Sequence, residues 1–204
     1  MVDPAEAANR PGNAIGCVRG GHDTERTLSD VMGEPRSAIV VTQPLPRSIA
    51  SIRRSHVPVA GLGVPPHVTI LVPFLPPDAL DDSVRARLTR IAAACPAFDV
   101  QYARVGRFPD ALYLEPEPDH PFRRLTVEIS EAFPGFPPYG QPTYRPSDVV
   151  PHLTIAIGDD AEFDALAARA VGHLPIAGRV RTLTILSERP DGRWRTAWRL
   201  PLRP

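Results

Sequence analysis

"PPHVTILVPFL", Pro65 to Leu75, decides how the rest of the chain is read. Val68, Ile70, Leu71 and Val72 suit a buried strand, because β-branched and large apolar side chains pack well on a pleated surface. Side chains alternate along a strand, so His67 and Thr69 share one face while Val68 and Ile70 share the other. An ionisable ring and a hydroxyl about 7 Å apart then stand away from the core. Alone, the pattern carries little. Threonine is a good strand former, and His67 sits where the chain emerges into water.

The pattern returns once, in "PHLTIAIGDD", Pro151 to Asp160, as His152, Leu153, Thr154 and Ile155 after another proline. With six histidines, 43% hydrophobic residues and 20 Ser plus Thr in 204, chance supplies only about 0.1 His-apolar-Ser/Thr-apolar matches. Two copies are therefore a signal. Each follows a proline-rich lead and precedes a helical pattern, which indicates an internal duplication.

Working outward, Ser37–Gln43 reads as a strand and Arg47–Ser55 as a short helix, with a loop from His56 to Pro66. Leu80, Val84, Leu88, Ile91 and Cys95 lie on one helical face that Pro96 stops. "FDVQYARVGRF" and "ALYLEP" make a hairpin pair. Phe122, Leu125, Ile129 and Phe133 define a second helix, with Pro121 in its first turn. Pro134–Pro151 holds six prolines in eighteen residues and reads as a long loop, functional or disordered. Phe163, Leu166, Ala170 and Val171 mark a third helix, and the C-terminal stretch reads as a hairpin turning at Asp191-Gly192. Residues 1–35 lack periodicity and are expected to form a flexible tail before a single domain over 36–204. Cys17 and His22 fall in that tail and are assigned no role.

Formal net charge is zero, which argues against a general polyanion binder or an anionic-membrane binder. All 23 basic residues are arginine, so lysine chemistry is excluded and every phosphate-facing cation is a guanidinium. Cys17 and Cys95 make neither a disulfide framework nor a Cys-x-x-Cys site. With no signal-peptide pattern and no membrane-length apolar run, the cytoplasm is the default expectation.

If a pseudo-twofold relates the halves, the two strands bring two imidazoles and two hydroxyls to one groove. Two rings titrating near neutrality can divide one proton-transfer cycle, one as base and one as acid. Two hydroxyls can bond the non-bridging oxygens of a phosphate. Neither strand carries a carboxylate set, and threonine is a poor zinc ligand, so no metal and no cofactor are expected.

His67-Val68-Thr69-Ile70 and His152-Leu153-Thr154-Ile155 resemble the paired motifs of the 2H phosphoesterase superfamily, closest to its 2′-5′ RNA ligase-like and cyclic phosphodiesterase branch. The resemblance covers roughly residues 37–200. It implies an α+β, bilobal fold with two antiparallel sheets flanking a central groove and helices outside. It also implies His67 and His152 as catalytic acid and base, Thr69 and Thr154 as phosphate-binding residues, and a 2′,3′-cyclic nucleotide or short RNA as substrate. Hydrolysis of a 2′,3′-cyclic phosphate leads; an ATP-independent 2′-5′ RNA ligase and a non-catalytic nucleotide-binding module are the alternatives. A monomer without a membrane partner is expected.

Tyr139, Tyr144 and Arg145, in the proline-rich loop, are candidate substrate contacts that could stack a base and hold a phosphate. His56, His120 and His173 read as surface or capping residues, and Arg123 and Arg124 as a solvated helix face. Trp194 and Trp198, four apart in one strand, are expected to share a face, as core.

Overall fold

The computed structural model describes residues 36–158 and 160–204; the expected tail, with Cys17 and His22, lies outside the described residues. Eight strands form two four-stranded antiparallel sheets. Sheet 1 has the order β2-β1-β7-β8, from β2 (His67–Phe74), β1 (Ser37–Thr42), β7 (Thr182–Glu188) and β8 (Trp194–Pro201). Sheet 2 has the order β5-β4-β3-β6, from β5 (Leu153–Ile157), β4 (Ala111–Glu117), β3 (Phe98–Phe108) and β6 (Ile176–Val180). This is the expected α+β architecture with two antiparallel sheets.

Two parts of the topology differ from the sequence reading. β6 carries Ala177, Gly178 and Arg179, a weak strand signal, yet it closes the far edge of sheet 2 against β3. The C-terminal hairpin, β7 with β8, then returns to pair with β1. The lobes are therefore not the two halves of the sequence.

Among the described residues, five α-helices complete the fold: α1 (Arg47–His56), the one-turn α2 (Pro58–Gly61), α3 (Asp82–Ala94), α4 (His120–Ala132) and α5 (Phe163–Val171). Asp81 caps α3 by accepting a 2.8 Å hydrogen bond from the Val84 amide, so the helix starts after Leu80. Val171, expected on the buried face of α5, is 56% exposed because it ends the helix, while Phe163, Leu166 and Ala170 are buried.

Helix packing joins the lobes. α1 links β1 to β2 of sheet 1 but lies along β5 of sheet 2; α4 links β4 to β5 but lies along β2. The exchange is reciprocal. One continuous core results, holding Ile39, Val68 and Leu183 from sheet 1 with Leu112, Leu153 and Val180 from sheet 2. It also brings the edge strands β2 and β5 beside each other at the centre.

Candidate active site

Both motif strands anchor themselves by alternation. Val68 and Ile70 on β2 are buried at 0% and 1% exposure, and Leu153 and Ile155 on β5 are both at 0%. His67 and Thr69 stand half-buried on the opposite face of β2, paired across to Thr42 and Val40 of β1. Thr154 pairs across to Tyr113 of β4, and His152 sits just before β5, buried at 7% exposure.

The two imidazoles are held in the same way. His67 Nδ1 donates to the Pro65 carbonyl at 2.7 Å, and His152 Nδ1 donates to the Val150 carbonyl at 2.7 Å. Each acceptor lies two residues upstream of its ring. A carbonyl has no proton to give, so Nδ1 carries the hydrogen in each neutral ring, and Nε2 keeps the lone pair. Burial pushes His67 down to about 4, against the raising effect of its Pro65 bond, with the nearby charge of Arg53, and of His152 when protonated, lowering it further. Burial also lowers His152, again opposed by its carbonyl bond. The structure thus brings the rings within electrostatic reach of each other, and both are neutral at pH 7.

The surroundings break the symmetry. Beside His67 and Thr69 lies a cavity of about 240 Å³, walled by Ala38, Val40, Val64, Leu186, Trp194 and Tyr139 among others, with Arg36 and Glu188 in its lining. Beside His152 stand two aromatic rings instead. Phe108 meets the His152 ring edge-on at 5.1 Å and Tyr113 lies at 5.4 Å. Tyr113 faces Thr154 as Val40 faces Thr69, and it packs over Gly106, where any Cβ would collide with the phenol ring.

Of the loop candidates, Tyr139 lines the cavity and meets Tyr144 edge-on at 5.9 Å; neither Tyr144 nor the exposed Arg145 is in that lining. Tyr139 has φ 56°, a left-handed backbone conformation that strains a bulky residue. Burial raises its hydroxyl well above the usual tyrosine range, so the ring meets the cavity as a neutral wall.

Two sequence expectations need correction. Trp194 and Trp198 do not share a face. A bulge leaves Ala197 unpaired, since Leu186 faces Thr196 while Ile185 faces Trp198. Trp194 consequently lines the cavity and Trp198 packs on the main core. Arg123, 35% exposed, does more than face solvent. It pairs with Asp119 at 2.7 Å and donates to the Val149 carbonyl at 2.7 Å, tying down the loop that delivers His152. Arg124 pairs with Glu128 on the exposed face as expected. His56 ends α1 and bonds the Ile52 carbonyl.

Arg53 was invisible in the sequence. It is 4% exposed on α1, donates to the Val64 carbonyl at 3.0 Å, and burial lowers it only to about 10, so it stays charged. Among the described residues, no group of three or more His, Cys, Asp or Glu is placed to hold a metal ion. None of the described helices is long and apolar enough to cross a membrane.

Residues 41–192 match the family described as the 2′-5′ RNA ligase superfamily. The chain is 29% identical over 141 residues to a Bacillus anthracis protein named "Putative phosphoesterase", covering 67% of this chain and 72% of that one. A Bacillus cereus protein of the same name is 30% identical over the same shares. Among solved structures, TT0787 of Thermus thermophilus aligns with a TM-score of 0.51 at 19% identity, over 82% of this chain and 98% of that chain, a likeness of fold. The chain belongs to the 2′-5′ RNA ligase superfamily, the 2H phosphoesterases that its paired motifs resemble.

Proposed function

We propose that the protein is a phosphodiesterase that opens 2′,3′-cyclic phosphates, on small nucleotides or RNA ends, by acid-base catalysis between His67 and His152. One ring, neutral, takes a proton at Nε2 from the attacking water as its oxygen bonds to phosphorus. The other, protonated, gives its Nε2 proton to the departing ribose oxygen. The P–O bond opposite the water breaks, and a monoester remains. Thr69 and Thr154 donate hydrogen bonds to the non-bridging oxygens as charge builds on them.

One observation carries this reading: the matched Nδ1–carbonyl bonds at the two histidines. They fix both tautomers so that Nε2 is the working atom whether a ring acts as base or acid. Both rings are neutral in the free protein, so the acid gains its proton as the anionic substrate settles between them and favours imidazolium. The cavity beside His67 supports a ring-bearing substituent, because its walls are largely apolar and Trp194 offers an aromatic surface for a base.

The test is turnover of 2′,3′-cyclic mononucleotides, short cyclic-ended RNAs and 2′-5′ dinucleotides with EDTA present. Hydrolysis of the cyclic substrates is expected. Joining of RNA ends through a 2′-5′ bond would make the protein a ligase. Nucleotide binding without any turnover would make it a binding module.

A further inference from the structure

The duplication extends to two arginines that the sequence does not align. Arg53 stands fourteen residues before His67 and Arg123 twenty-nine before His152, because the proline-rich loop lengthens the second connection. In space they are equivalent. Arg53 lies on α1, between β1 and β2; Arg123 lies on α4, between β4 and β5. Arg53 Nη1 donates to the carbonyl of Val64, and Arg123 Nη1 to that of Val149. Each acceptor is three residues upstream of a motif histidine, next to the carbonyl that holds its Nδ1.

We propose that Arg53 and Arg123 are a matched pair of positioning residues, each fixing the segment that orients one motif histidine, and that Arg53 alone lends its charge to the phosphate site. The difference is in their partners. Asp119, one helical turn before Arg123, neutralises it at 2.7 Å. The position one turn before Arg53 is Ile49, and among the described residues no carboxylate pairs with Arg53. A buried charge without a counter-ion is costly, and an anion in the neighbouring groove relieves that cost. Arg53 acts electrostatically on His67, whereas no arginine contributes to the lowering at His152. Among the described residues, the other charged or titratable groups shown around His67 are His152, Tyr139, and Arg36 with Glu188, which pair with each other at 3.6 Å. Among them, Arg53 is a buried cation acting on His67 that no described carboxylate compensates.

The inference rests on the phosphodiesterase reading for its purpose, but its test needs no turnover. Histidine ring titrations followed by NMR in the ligand-free protein, and inorganic phosphate affinity, are the measurements. Arg53→Met should raise the His67 midpoint by at least about half a unit and weaken phosphate about tenfold, while Arg53→Lys restores most of both. Arg123→Met should move the His152 midpoint little and change phosphate affinity less than about threefold, yet mobilise the Val149–Val150 backbone. Asp119→Asn, on an exposed side chain, uncovers Arg123 and should lower the His152 midpoint, and it carries the test should Arg53→Met not fold. Unchanged His67 titration and phosphate affinity in Arg53→Met, or an unmoved His152 midpoint in Asp119→Asn, would overturn the proposal. These results can succeed while the cyclic-phosphate panel fails, or fail while it succeeds, so the two readings are separable.

Discussion

At the scale of single residues, His67 and His152 each have one usable nitrogen, and the predictions follow from that. Alanine at either should reduce turnover at least about a hundredfold with an unchanged melting temperature, since in the proposed mechanism each ring supplies one proton transfer. Near-normal rates in both variants would refute the two-histidine mechanism. Valine at Thr69 or Thr154 keeps strand preference and shape while deleting one proposed donor to the phosphate, and should cost about 10²–10³ in kcat. Titration near neutrality is the ordinary expectation for two imidazoles, but burial moves it. With His67 at about 4 and His152 also lowered, kcat/KM should follow a bell with its optimum below pH 6.5, since that ratio reports the free enzyme. A flat profile from pH 4 to 8 would contradict this.

At the scale of elements, β1 shapes the cavity beside His67. Val40 stands opposite Thr69 where Tyr113 stands opposite Thr154, and the smaller side chain leaves the cavity. Val40→Phe should fill it. The expected outcome is a KM at least about tenfold higher for cyclic mononucleotides, with little change for a cyclic phosphate lacking a base. Equal effects on both substrates would show that the base binds elsewhere. The bulge in β8 turns Trp194 into the same cavity, so nucleotide binding should quench fluorescence in the wild type and in Trp198→Phe but not in Trp194→Phe.

At the scale of the whole molecule, charge and acid stability set the outcomes. The chain balances 23 arginines against 23 acids, and among the described residues the cavity lining holds one arginine, Arg36, already paired with Glu188. Substrate affinity should fall with a slope of only about one to three per decade of salt. A slope above about five would require a wide basic face. For stability the sign runs one way. The buried rings bind protons less readily than the unfolded chain, so their contribution is full above about pH 6.5 and is lost as pH falls towards the folded value near 4. Melting temperature should therefore drop between pH 6.5 and 4, and His67→Asn combined with His152→Asn should flatten that drop. An equally steep drop in the double variant would place the acid sensitivity elsewhere.

The linear sequence determined the local pattern and its repetition. The alternation around Val68 and Ile70, and around Leu153 and Ile155, fixed the strands, their buried faces and the residues they present, because strand periodicity is a property of neighbouring positions. The helices from Asp82 and His120 were legible for the same reason, with only their ends displaced by caps. What lay beyond the sequence was everything set by contacts between distant segments. No neighbour of Ile176–Val180 reveals that it edges sheet 2, and one extra residue in β8 separated Trp194 from Trp198. Arg123 looked solvated because two of its partners, the carbonyls of Ser147 and Val149, lie 24 and 26 residues away. Arg53 was hidden because a long loop in one half erased its spacing to the other. Tertiary structure alone placed those arginines alike and, among the described residues, paired one with a carboxylate and the other with none.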